Sequence, residues 1–186
     1  MNKQYYTYTD LHNAASDIVL QMYKDSWQPD YIVGLNRGGL PLALRISHLI
    51  DANMYTLDVR LRDNANQESN CWMAEDAFGY IQEIDRDDTW SKATSDPFNK
   101  KNILIVDDIN DTGATFNWIM QDWQASCLPN DDAWNRVWGN NVRFATLTDN
   151  MASEVLVPIH YTCDEINKAE EDVWLVYPWE NVGTYG

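Results

Sequence analysis

A chain of 186 residues, 45% hydrophobic and 23% charged, is long enough to bury its own core, and it reads as one domain carrying insertions. A formal net charge of −16, from 29 acidic against 13 basic residues, excludes the basic face that nonspecific nucleic-acid binding requires. Three scattered cysteines without a CxxC pair, no signal-peptide core and no apolar run near the roughly 18 residues of a membrane helix exclude a disulfide framework and a membrane span, and point to the cytoplasm.

The first element is an amphipathic helix over residues 10–24. Leu11, Ala14, Ala15, Ile18 and Met22 share one face, and Thr9 is the expected N-cap. Residues 31–35 (YIVGL) have the length and composition of a buried strand. Asn36, Arg37, Gly38 and Gly39 break that pattern, and Pro41 opens a helix reaching about Ile50. Residues 53–60 alternate as a second strand. Residues 61–100 are polar, acidic and irregular, too long for an ordinary connection, so they are expected to form a flexible flap or an insertion with its own structure.

Residues 103–106 (ILIV) are apolar on both faces, as expected at the centre of a parallel sheet. A turn over residues 107–113 leads into a helix over about 114–125. Residues 126–141 form a second insertion. Residues 142–147 make a fourth strand and residues 173–176 a fifth. Strands alternating with helices define an α/β fold with a mostly parallel central sheet flanked by helices.

Chemistry concentrates in residues 105–115, IVDDINDTGAT. A buried strand ends in two adjacent carboxylates, and a short loop then enters a helix. Ligands of open α/β sheets bind beyond the carboxyl ends of strands. The unpaired N–H groups and the dipole of a helix start favour a phosphate. Gly113 permits close backbone approach, and Thr112 and Thr115 add hydroxyls. Asp107 and Asp108 suit vicinal sugar hydroxyls or a divalent cation. The absence of GK[ST] excludes a Walker A loop, and the absence of GxGxxG excludes a dinucleotide fingerprint.

This segment resembles the phosphoribosyl-pyrophosphate signature of the type I phosphoribosyltransferases. Two further runs resemble the same family. Residues 34–40 (GLNRGGL) match its pyrophosphate loop. Residues 173–180 (VWLVYPWE) match the carboxyl end of the 6-oxopurine branch, closest to the xanthine-guanine and hypoxanthine enzymes.

The resemblance implies a Mg²⁺-dependent transfer of ribose phosphate from phosphoribosyl pyrophosphate to a nucleobase, giving a nucleoside monophosphate and pyrophosphate. It implies that Asp107 and Asp108 bind the ribose hydroxyls directly or through Mg²⁺, and that Asp111 serves as acid and base. Thr112, Gly113, Ala114 and Thr115 would cradle the 5-phosphate. Asn36, Arg37, Gly38 and Gly39 would hold pyrophosphate. Trp174 would stack on the base while the Leu175 backbone reads its edge. A flexible hood would fall within residues 61–100, with Arg60, Arg62, Arg86 and Lys92 as its available cations. The partners implied are phosphoribosyl pyrophosphate, a nucleobase and further copies of the chain, as a dimer or tetramer.

Two departures from the family leave alternatives open. The branch carries a lysine just after the strand that follows the phosphate-binding helix, where this chain has Asp149 and Asn150. The hood region is also unusually acidic. A different base, or a regulator that binds phosphoribosyl pyrophosphate without chemistry, stands beside the 6-oxopurine enzyme. His12, His48 and His160 show no ligand spacing.

Overall fold

A computed structural model describes residues 2–59 and 71–180. In chain order the elements are β1 (Asn2–Tyr5), α1 (Tyr8–Lys24), β2 (Tyr31–Asn36), α2 (Leu40–Ile50), β3 (Asn53–Asp58), α3 (Cys71–Phe78), β4 (Tyr80–Ile84) and β5 (Ser91–Ser95). They continue with β6 (Ile103–Asn110), α4 (Ala114–Ser126), β7 (Val142–Asn150), β8 (Tyr161–Ile166) and β9 (Val173–Val176), with short 3-10 turns at Pro97–Asn99 and Asp132–Arg136.

The central sheet has five strands in the order β3-β2-β6-β7-β8, all parallel. Its strands alternate between two cores. Ile103 and Ile105 of β6 face one core, with α3 and α4; Leu104 and Val106 face the other, with α1 and α2. That explains the continuous apolar run of the central strand, since both of its faces are covered. Trp123, Trp134, Phe116 and Phe144 are wholly buried in the first core. Each side chain of that size contributes on the order of 3 kcal/mol by leaving water.

Several boundaries differ from the sequence expectation. The first helix is capped by Thr7, not Thr9. The Thr7 hydroxyl oxygen accepts from the Asp10 backbone N–H at 3.1 Å, and the Asp10 carboxylate accepts from the Thr7 N–H at 2.7 Å. This reciprocal box needs an acidic residue three places after the cap, which Thr9 lacks. β6 does not stop at Val106; its ladder with β7 continues to Asn110, so the turn begins later. Residues 173–176 do form a strand, but it lies outside the central sheet and pairs in parallel with β1. The fifth central strand is β8 instead.

The described parts of both insertions carry structure of their own. Residues 71–100 form a helix and an antiparallel hairpin, and Met73, Ala74, Ala77 and Phe78 of α3 are buried in the core. Arg86 sits in the hairpin turn and Lys92 on β5, both exposed, while Arg60 and Arg62 lie outside the described residues. In the second insertion Trp134 is buried and its indole N–H donates to the Cys127 carbonyl at 2.8 Å. Among the described residues no helix is long and apolar enough to cross a membrane.

Candidate active site

The end of β6 and the start of α4 form one concave wall. Residues 107–116 line a cavity of about 180 Å³ that contains Asp107, Asp108, Asp111, Thr112, Gly113, Ala114 and Thr115. Each acid at the strand end is anchored by the next backbone N–H: Asp108 N–H donates to Asp107 Oδ1 at 2.9 Å, and Ile109 N–H to Asp108 Oδ1 at 2.8 Å. Gly113 caps α4 with φ of +87° and without a side-chain hydrogen bond. The Ala114 N–H donates to Thr112 Oγ1 at 3.2 Å and the Asn117 N–H to the Gly113 carbonyl at 3.0 Å, which leaves the Thr115 and Phe116 amides before the helical ladder begins.

Residues 151–157 strap this loop from outside. Glu154 N–H donates to the Thr112 carbonyl at 3.0 Å, and Asn117 donates to the Glu154 carbonyl at 2.9 Å while accepting from Leu156 N–H at 2.8 Å. A Cβ on Gly113 would lie 2.4 Å from the Val155 nitrogen. Glycine is therefore required there twice, for its backbone angle and for the approach of the strap.

The β2–α2 loop packs directly onto the acids. A Cβ on Gly38 would lie 2.3 Å from Asp108 Oδ2, and one on Gly39 would lie 2.4 Å from the Val106 carbonyl oxygen. The Asn36–Arg37 peptide between β2 and that loop is cis. Arg37, Gly38 and Asp108 line a larger cleft of about 1060 Å³ together with Lys3, Trp174, Trp179 and Glu180. Asp108 belongs to both cavities, so the two loops and the aromatic end of β9 open into neighbouring spaces.

Trp174 is 53% exposed, so it is no core tryptophan. Leu175 is buried in the second core, is paired in register with Gln4 and does not line the cleft. Asn36 and Gly39 do not line the cleft. Tyr177 fixes the wall from behind. Its ring stacks on Tyr6 and on Trp179, and its hydroxyl donates to Thr148 Oγ1 at 3.2 Å.

Electrostatics mark the strand end as a site awaiting positive charge. Burial pushes the Asp107 carboxyl well above the ordinary carboxylate range, and the charge of Asp108 adds to it. Burial also raises Asp108, and Glu180 contributes a smaller push in the same direction. Two half-buried carboxylates with hard oxygen donors suit Mg²⁺, which is commonly held by one or two carboxylates plus substrate phosphates. Among the described residues no group of three or more His, Cys, Asp or Glu could hold a metal by itself.

Two residues that the sequence did not single out enter the site. Lys3 lines the cleft and is paired in register with Trp174 across the β1–β9 ladder. Lys168, just after β8, places Nζ 2.8 Å from Asp111 Oδ1. The Asn150 side chain ties these pieces together. It donates to the Asp111 carbonyl at 2.8 Å and accepts from Lys168 N–H at 3.0 Å. The Asp149 carboxylate accepts from Asn110 at 2.8 Å. Asp149 and Asn150, the residues standing where the family has its lysine, are thus committed to the framework. Lys168 is the cation that reaches Asp111.

A helix start offering amides and hydroxyls, set beside two strand-end carboxylates in an α/β fold, suits a phosphorylated sugar. Residues 2–179 match the phosphoribosyl transferase domain, and the chain belongs to that family. It is a phosphoribosyltransferase, a member of an enzyme family.

Solved structures of related shape include a purine phosphoribosyltransferase from Pyrococcus horikoshii Ot3, with TM-score 0.60 and 22% identity over 97% of this chain and 96% of that one. The xanthine-guanine-hypoxanthine phosphoribosyltransferase of Helicobacter pylori gives 0.58 and 16%, over 96% and 94%. A hypothetical protein from Neisseria gonorrhoeae with bound ppGpp gives 0.58 and 16%, over 98% and 91%. At these identities the likeness carries the fold. No curated protein matches the chain.

Proposed function

We propose that the chain transfers the phosphoribosyl group of phosphoribosyl pyrophosphate to a 6-oxopurine, releasing pyrophosphate, with Mg²⁺ bound at Asp107 and Asp108. The observation that carries this reading is the sharing of Asp108 between two cavities. One is lined by the residue 107–116 loop, and the other by Arg37, Gly38 and Trp174.

In this assignment the amides and hydroxyls of residues 112–115 hold the 5-phosphate, and the strand-end acids orient the ribose. Arg37, with the backbone of Gly38, holds the leaving pyrophosphate by charge-assisted hydrogen bonds. Mg²⁺ would neutralise developing charge on that leaving group. The sugar carbon gains oxocarbenium character as the bond to pyrophosphate breaks, so positioned carboxylates stabilise it electrostatically. Asp111 takes the proton from the attacking base nitrogen.

Lys168 supports an oxygen-bearing base. An ammonium donates hydrogen bonds and accepts none, so it favours an exocyclic carbonyl over an amino group. Trp174 supplies a flat apolar surface for a large ring. The test is a screen of hypoxanthine, guanine, xanthine, adenine, uracil and orotate with phosphoribosyl pyrophosphate and Mg²⁺, following pyrophosphate release. Turnover with hypoxanthine, guanine or xanthine supports the proposal. Turnover confined to adenine, uracil or orotate overturns the base assignment.

A further inference from the structure

The amino-terminal ends of β6 and β7 border a separate cavity of about 440 Å³, at the opposite end of the sheet from Asp107 and Asp111. At roughly 3.3 Å per residue of β6, the cavity lies roughly 15 Å from Asp107 and roughly 25–30 Å from Asp111 along the strand. Ser95, Lys100, Asn102, Arg136, Asn140 and Asn141 line this cavity; among the described residues no carboxylate does.

That lining is unusual for this chain. In a chain with 29 acidic residues against 13 basic ones, a cavity whose described lining gathers two cations and no carboxylate stands apart. Lys101 pairs with Asp76 at 3.6 Å, Arg143 with Asp25 at 3.3 Å and Lys168 with Asp111 at 2.8 Å. Lys100 and Arg136 make no such pair among the described residues. Burial holds the Lys100 ammonium below the ordinary lysine range, and the Arg136 guanidinium adds to that shift. Two like charges facing one cavity repel each other, and an anion between them reverses the sign of the interaction.

Neutral donors complete the lining. The Asn102 carboxamide donates one N–H to the Gln28 carbonyl, and that of Asn140 donates one to the Arg136 carbonyl, each at 3.0 Å. Each carboxamide nitrogen carries two N–H groups, so one remains on each. A guanidinium, an ammonium and two amide N–H groups match the oxygens of a phosphoryl dianion.

We propose that this cavity is a phosphate-binding site, separate from the active site, which takes the phosphoryl group of free phosphate or of a nucleoside monophosphate between Lys100 and Arg136. The test is titration of the ¹⁵N-labelled full chain with sodium phosphate, following backbone amide signals. Saturable shifts are expected at residues 95–102 and 133–141. Lys100→Gln and Arg136→Gln should each weaken the response there at least tenfold. Signals of residues 112–115 report the active site in the same spectra, so failure of one site is seen apart from failure of the other. If Lys100→Gln fails to fold, Arg136→Gln, on an exposed turn, carries the comparison. A parallel titration with adenosine 5′-monophosphate separates the two sources: tighter binding assigns a nucleotide, and equal or weaker binding assigns free phosphate. The absence of saturable shifts at the cavity overturns the proposal. So does an equal response to sodium chloride at matched ionic strength, or an unchanged response in a folded variant.

Discussion

Replacing Gly38 by alanine should impair catalysis while sparing the fold. The added Cβ would lie 2.3 Å from Asp108 Oδ2 and 2.8 Å from Asp108 Cγ, where ordinary contact begins near 3.4 Å. The Asp108 carboxylate must therefore retreat by about 1 Å, a displacement that can cost on the order of 100-fold when a reacting group is misplaced. The obstacle is the end of a side chain at the cleft wall, so unfolding stability should fall by less than about 1.5 kcal/mol. Gly39→Ala provides the contrast. Its Cβ would meet the Val106 carbonyl at 2.4 Å and the Asp107 Cα at 2.9 Å, both backbone atoms, so it should cost about 1–3 kcal/mol of stability. Steady-state pyrophosphate release and thermal melting of both variants separate the cases. Gly38→Ala with wild-type kcat/KM for phosphoribosyl pyrophosphate would refute the placement of Asp108 in the substrate site.

Asp111→Ala should reduce turnover to background with an unchanged circular-dichroism spectrum; wild-type-like turnover removes Asp111 from proton transfer. Trp174→Ala should raise the base KM about fivefold, because aromatic stacking contributes on the order of 1 kcal/mol; an unaltered KM means that the base lies elsewhere. Lys168→Met should raise KM for oxopurines selectively and Lys168→Arg should restore part of the loss, whereas equal effects on all bases would reduce the Asp111 pair to a surface bridge of small value. The raised carboxyls of Asp107 and Asp108 predict a pH effect on the metal-free protein. Protonation of these carboxyls favours the folded state, so their contribution is complete below the unfolded carboxylate value of about 4 and is lost as pH rises through the higher folded value. Thermal melts from pH 4 upward should show a shallower decline in Asp107→Asn, and Mg²⁺ should stabilise wild type more at pH 8 than at pH 5. Parallel curves for the two proteins contradict the assignment.

The half of the candidate site at residues 107–116 was legible as a cavity wall because its chemistry is local. Residues 105–115 hold strand, acids, loop and helix start in one continuous run, and the GLNRGG turn is equally compact. The central strands showed for the same reason, since burial on both faces writes an unbroken apolar run such as that of residues 103–106. What escaped depends on distant partners. All four residues of β1 are exposed, so no alternation announces a strand; it exists because β9 pairs with it. β8 carries one buried residue, Tyr161, among polar neighbours, as an edge strand can. Lys168 lies in a polar connection without a motif, and the only sequence signal was the missing lysine after β7. Its role becomes visible through Asn150, which joins its backbone to that of Asp111 across a turn.

The pairing of β1 with β9 has a consequence for assembly. Residues 2–5 find their partners about 170 positions later, a closure whose entropic cost is on the order of 4 kcal/mol. Contacts of such sequence separation must meet that loop-closure cost before they stabilise anything, which slows their formation. The aromatic wall of the cleft should therefore close after the loop at β6 and α4 is in place, so a nascent chain completes the Asp107–Thr115 wall before the neighbouring cleft gains its Trp174 side.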